Sequence, residues 1–193
     1  MLRISKLIIL GSFLLIGLIT GCQRGPDAAR RELSQLGIRW SQEVFLEAVE
    51  DSDQVVVELF LTAGMNPNAG SAYGWTPVMH GALAGHTAVV RLLIGRGANV
   101  NARGEEGFTA LSLAAGNGHT ETVRLLIDAG ADIRAKDNDG WTALMYASER
   151  GNRETVQTLL DRGAEVNVAN NDGDSALILA ERNGHAEIAQ ILR

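Results

Sequence analysis

The chain has 193 residues, a net charge of −6, 46% hydrophobic residues and only 5% aromatic ones. That is one domain's worth of chain, with a core that must be built from Leu, Val, Ile and Ala. After residue 21, fifteen basic residues stand against twenty-three acidic ones without any Lys/Arg cluster, which argues against a nucleic-acid partner, and a single cysteine rules out a disulfide framework within the chain.

Residues 1–6 carry Arg3 and Lys6, and residues 7–19 form an apolar run broken only by Gly11, Ser12 and Gly17. A charged start, a short apolar run and then small residues predict a secretion signal; a membrane span needs about 20 apolar residues. The run ends Ile19-Thr20-Gly21-Cys22. This resembles the lipobox of bacterial lipoproteins, with Ile19 at the usual leucine position. The resemblance implies cleavage after residue 21 and diacylglycerol on the Cys22 thiol, and hence anchoring in the bacterial cell envelope, since two or more acyl chains give lasting attachment. Gln23 stands where retention at an inner membrane usually wants Asp. It resembles the signal for export to the periplasmic side of the outer membrane in a cell with two membranes. The alternatives are an ordinary signal peptide or an uncleaved anchor with a chance cysteine.

Residues 22–40 read as a lipidated tether with one short helix. Gly25 and Pro26 make a flexible spacer, and residues 28–36 have helical composition, with Leu33 and Leu36 three apart and Gly37 as the stop. This helix is expected to cover the open end of the following domain or to lie loosely against it. Trp40 either plugs the end of the core or binds a ligand, and Ser41 is a helix N-cap candidate.

From residue 41 onward the chain repeats itself. Residues 108–140 and 141–173 are identical at 15 of 33 positions. A loop glycine recurs at Gly74, Gly107, Gly140 and Gly173, a mid-unit glycine at Gly85, Gly118, Gly151 and Gly184, and a third at Gly64, Gly97, Gly130 and Gly163. A fixed period of 33 is the signature of stacked repeats. The phrases GWTPVM, AGHTAVVRLLIGRGANVNA, NGHTETVRLLIDAGAD and RGAEVN resemble the ankyrin repeat, over roughly residues 42–193. The resemblance implies an all-α solenoid of paired antiparallel helices joined by β-hairpin-like loops. The repeat domain spans 41–193: a degenerate capping unit at about 41–73, then 74–106, 107–139, 140–172, and a truncated C-terminal capping unit at 173–193. In the first unit Glu43 and Ser52 hold the threonine and mid-unit glycine positions, as befits a terminal unit. In each unit a small-residue helix precedes a branched-residue helix. Val123, Leu126 and Ile127 give the second helix an apolar face, and Gly130 is expected to end it at positive φ. The family's Thr-Pro-Leu-His is Thr-Pro-Val-Met at residues 76–79, and His80 sits one position late. The interrepeat hydrogen bonds made by that histidine therefore have no donor at the usual place.

No GxSxG, HExxH, P-loop or GxGxxG motif is present, and no His/Cys spacing suits a metal ion. A non-enzyme is therefore expected, without cofactor, metal or small-molecule substrate. His86, His119 and His185 share one position of the period, with Asn152 filling it in the unit at 140–172, and are predicted to cap the start of each second helix. Glu105-Glu106 and the acids of residues 137–139 lack the register of a calcium loop and are read as solvated.

Function then falls to binding. The resemblance implies a concave face, formed by loop tips and inner helices, that grips another protein. The matching positions are Tyr73, Trp75, Arg103, Glu105, Phe108, Asn117, Lys136, Asp139, Trp141, Glu149, Arg150 and Arg182. Trp75, Phe108 and Trp141 form an aromatic ladder at repeat spacing, which either packs the loop base or supplies hot spots. Glu149, Arg150 and Arg182 are the better candidates, because Gly116 at the same level shows that the fold needs no charge there. The expectation is a monomeric, membrane-anchored lipoprotein that binds another envelope protein as scaffold or inhibitor. The rival readings are a structural envelope protein with no specific client, or an enzyme.

Overall fold

The computed structural model describes residues 25–71 and 73–193. The secretion signal, Cys22 and Gln23 lie outside the described residues. Eleven helices follow one another among the described residues: α1 Pro26–Gln35, α2 Gln42–Glu50, α3 Gln54–Thr62, α4 Pro77–Leu83, α5 Thr87–Gly95, α6 Ala110–Gly116, α7 Thr120–Asp128, α8 Ala143–Glu149, α9 Arg153–Asp161, α10 Ala176–Arg182 and α11 Ala186–Ile191. No strand occurs among these residues beyond an isolated bridge between Ala169 and Ser175.

The helices form two layers. First helices α2, α4, α6, α8 and α10 pack in series, and second helices α3, α5, α7, α9 and α11 pack in series behind them. The first helices approach closely because their facing residues are small: Ala82, Ala114, Ala115, Ala147 and Ala180 are fully buried. A Cβ at Gly81 would meet the Val90 side chain at 3.0 Å. The second helices supply the bulk, with Val57, Phe60, Val90, Leu93, Val123, Leu126, Val156 and Leu159 all buried. Burial of each such side chain contributes about 1.5–3 kcal/mol, and only a neighbouring unit provides it.

Helix α1 covers the open end and docks firmly. Ala29 is 0% and Leu33 1% exposed, and Arg30 Nε donates to the Ala63 carbonyl at 3.1 Å. Its C-terminus repeats that of the second helices. The Ile38 amide donates to Leu33 O at 2.9 Å, as Met65 does to Phe60, Ala98 to Leu93, Ala131 to Leu126 and Ala164 to Leu159. In each case the intervening glycine, from Gly37 to Gly163, has positive φ. Helix α1 thus behaves as a second helix and packs on α3 as α3 packs on α5. Gly37 lies only 27 residues before Gly64 because no loop finger separates α1 from α2, so the 33-residue period does not reach it. Trp40 stacks on Phe60 with centroids 5.2 Å apart, under the Arg30 guanidinium at 4.9 Å, and so closes this end of the core.

The recurring histidines sit at the N-cap of the second helices but make no side-chain cap there. They reach back one unit instead. His86 Nε2 bonds Glu50 O at 2.7 Å, His119 Nε2 bonds Leu83 O at 2.9 Å, and His185 Nε2 bonds Glu149 O at 2.9 Å. Asn152 Nδ2 does the same with Ala115 O and Gly116 O at 3.0 and 2.9 Å. Each target is a carbonyl at the C-terminal end of the previous first helix, a group with no partner inside its own helix. The side chain at this position is spent on the previous unit's carbonyl and so does not cap its own helix. The interrepeat bond missing from the Thr-Pro-Val-Met phrase is supplied from here. Among the described residues, the first unit has no preceding first helix to brace. It carries Asp53 at this position, and Asp53 Oδ1 caps its own helix by accepting from the Val56 amide at 3.0 Å.

Gly130 and Gly85 separate two effects. Both have positive φ, at 89° and 73°. A Cβ on Gly130 meets nothing within 4 Å, whereas on Gly85 it falls 2.5 Å from His119 Nδ1. Gly130→Ala is expected to cost about 1–2 kcal/mol of left-handed strain, and Gly85→Ala about 1–3 kcal/mol more by displacing the brace. Urea unfolding of the two variants checks this; equal losses would show that the histidine bond carries no weight.

Candidate functional site

The turns between units project as fingers, closed at the base by a recurring backbone bond: Ser71 N to Trp75 O, Gly104 N to Phe108 O, Asp137 N to Trp141 O and Asn170 N to Asp174 O, at 2.7–3.0 Å. Neighbouring fingers are tied together. Glu105 N donates to Tyr73 O at 3.3 Å, Asn138 N to Glu106 O at 3.1 Å and Asn171 N to Asp139 O at 2.9 Å. Side chains add a second row, with Asn138 Nδ2 donating to Glu105 O at 2.9 Å and Asn171 Nδ2 to Asn138 O at 3.1 Å. The fingers and first helices therefore present one continuous face.

The sequence-selected residues divide into two groups on this face. Several are spent on structure. Arg103 donates to Lys136 O at 2.6 Å, and Lys136 Nζ to Ala169 O at 3.0 Å, so both cations stitch adjacent fingers. Asn117 Nδ2 returns to Leu113 O in its own helix at 2.8 Å. Arg182 makes a two-armed pair with Asp174, both bonds at 2.6 Å, which raises its already high pKa. Others remain available. Arg150 is exposed and meets only Glu149, at 3.6 Å; Glu105 and Asp139 are exposed and enter no ion pair among the described residues.

The aromatic residues do meet, but not as an unbroken ladder. Trp75 lies edge-on to Phe108 at 6.3 Å, while Trp141 packs at 4.9 Å on Tyr146, and Tyr146 bridges to Phe108 at 5.8 Å. Tyr146 was not singled out from the sequence. Its hydroxyl donates to Asp137 Oδ2, and Asp137 Oδ1 accepts from the amides of Asp139 and Trp141 at 3.0 and 2.8 Å. Burial, and then the Asp137 carboxylate, push the Tyr146 phenol well above its usual pKa.

His80 is the second missed residue. Its Nδ1 lies 2.8 Å from Glu50 Oε1, its ring stands edge-on to Trp75 at 5.8 Å, and its buried Nε2 has no hydrogen-bond partner. His80 and Tyr146 occupy one register position, held by Leu113 and Leu179 in two other units and by Glu47 in the degenerate first unit. That departure from leucine was the available signal. Between the first two fingers, Ser71, Tyr73, Trp75, His80, Glu105 and Glu106 line an open cleft of about 310 Å³.

No group of three or more His, Cys, Asp or Glu suited to a metal ion occurs among the described residues, and no described helix is long and apolar enough to cross a membrane. What the face offers is aromatic area, hydrogen-bonding fingers and charge, which together define a solenoid binding scaffold. The family model for ankyrin repeats (three copies) matches residues 22–104, 45–137, 97–170 and 134–193, and the chain belongs to the ankyrin-repeat family. Repeats of this family commonly mediate protein–protein binding, and such proteins are binding scaffolds as a rule. No curated protein matches the chain significantly in sequence.

Because the folded state raises the Tyr146 pKa, it favours the protonated phenol. The stability this contributes is present below about pH 10 and is lost as the pH rises beyond it. Tyr146→Phe is expected to cost about 1–2 kcal/mol at neutral pH through the bond to Asp137 and to flatten the loss of stability in alkali. Thermal unfolding of both proteins across this range checks it; an unchanged alkaline slope would contradict the assignment.

Proposed function

We propose that the protein is a non-catalytic, lipid-anchored ankyrin-repeat lipoprotein of the bacterial envelope that captures another envelope protein on its finger face, as a scaffold or inhibitor. The observation that carries the binding reading is the composition of that face. It joins Trp75, Phe108, Tyr146 and Trp141 in one aromatic run and flanks them with exposed Arg150, Glu105, Glu106 and Asp139. Aromatic anchors beside arginine are the residues most often found at interface hot spots. The anchoring reading rests on Cys22, the chain's one cysteine, at the end of a short apolar run. Acylation there holds the protein on the periplasmic side of the outer membrane where two membranes are present. The stack works as a monomer with an unbroken face.

Pull-down from envelope extracts is expected to recover the partner with the natural chain and to lose most of it with Trp141→Ala or Arg150→Ala. Unchanged capture by both variants would remove this face as the binding surface. Cys22→Ser is expected to abolish incorporation of labelled fatty acid, and persisting label would refute the anchor.

A further inference from the structure

We propose that the cleft between the first two fingers takes the guanidinium head of an arginine from a basic segment of the partner. This deepens the binding reading above and rests on it.

The cleft holds about 310 Å³, at the small end of the range for sites that enclose a ligand group. Its walls are aromatic. Trp75 is fixed by edge contacts with Phe108 and His80, and Tyr73 is 72% exposed, the most open of the large hydrophobic residues among those described. An aromatic face attracts a cation by its negative quadrupole, more strongly where water is partly excluded.

The rim is acidic and unneutralised. Glu105 and Glu106 are exposed and enter no ion pair among the described residues. The second-helix side of the chain treats its carboxylates differently. There, Glu58 pairs with Arg96, Glu154 with Arg124 at 3.2 Å, Glu165 with Arg134 at 2.9 Å, and Asp128 with Arg162 at 2.5 Å, each across successive units. A partner at unit spacing is thus provided on that side and withheld at the cleft. The nearest basic side chain of this finger, Arg103, is committed to Lys136 O.

The finger sequence points the same way. Position 105 is Asn138 and Asn171 in the next two fingers, where the amide donates to the preceding finger. A carboxylate cannot donate, so Glu105 forgoes that stitch and leaves a negative group at the mouth. His80 lines the floor where Leu113 and Leu179 stand in other units, and its Nδ1 meets the Glu50 carboxylate. An arginine fits this set better than a lysine, because its planar head can stack on a ring while pairing with a carboxylate through two N–H groups.

Calorimetric titration of the full-length chain at low salt, with hexa-arginine as probe and the neutral isostere hexa-citrulline as control, tests this. Hexa-arginine is expected to bind and hexa-citrulline not. Glu105→Gln/Glu106→Gln and, separately, the exposed Tyr73→Ala are each expected to weaken hexa-arginine binding about tenfold. Glu154→Gln/Asp161→Asn, which removes the same charge from α9, is expected to change it less than about threefold. Equal losses from the two charge variants would reduce the effect to diffuse attraction and overturn the proposal, as would undiminished binding by Tyr73→Ala. If hexa-arginine fails to bind while Trp141→Ala still abolishes partner capture, the arginine assignment falls and the binding face stands.

Discussion

A helix of seven residues ends with carbonyls that its own turns cannot satisfy. In this protein the carbonyl at the end of each first helix from α2 to α8 is taken by the next unit, through His86, His119, Asn152 or His185. Each such bond contributes about 0.5–1.5 kcal/mol, less than the 1.5–3 kcal/mol from one buried Leu or Val, so apolar stacking dominates stability. What the bond adds is register. It fixes how far each unit is displaced from the last, and the fingers line up as a consequence. The N-terminal end shows the rule by exception: Asp53, with no first helix behind it among the described residues, turns its carboxylate to accept from the Val56 amide, and α1 packs as a second helix does.

Most of this fold was legible in the sequence because it repeats. A 33-residue period places every glycine of a left-handed turn from Gly64 onward, and those turns are where the chain reverses. The period fails in two places. Helix α1 belongs to the stack, yet its glycine is 27 residues from the next, and only the shared backbone bond from Ile38 to Leu33 reveals the kinship. The recurring histidines were placed at the correct helix end but assigned to the wrong helix, because a bond between units leaves no trace in the spacing within one unit.

The binding face was legible by position and not by role. Arg103, Lys136 and Arg182 look like free charges in the sequence, yet each is held by a carbonyl or a carboxylate. Tyr146 and His80 carry no motif and stand where leucine would serve. They matter because folding brings Tyr146 between Phe108 and Trp141, and His80 beneath Trp75. The two sides of the solenoid differ in how charge is managed. On the second-helix side, ion pairs connect one unit to the next; along the fingers, carboxylates such as Glu105, Glu106 and Asp139 stand beside aromatic rings without a cation. A surface of the first kind is finished within the chain, and one of the second kind is completed by something else.

Photo-crosslinking with a reactive side chain placed at single positions of the full-length chain, in the native envelope, tests this division most directly. Probes at Glu106 on the finger face and at Arg153 on the second-helix side should behave differently. The account expects one discrete crosslinked partner from position 106 and none from position 153. The same partner crosslinked from position 153 and not from 106 would contradict it.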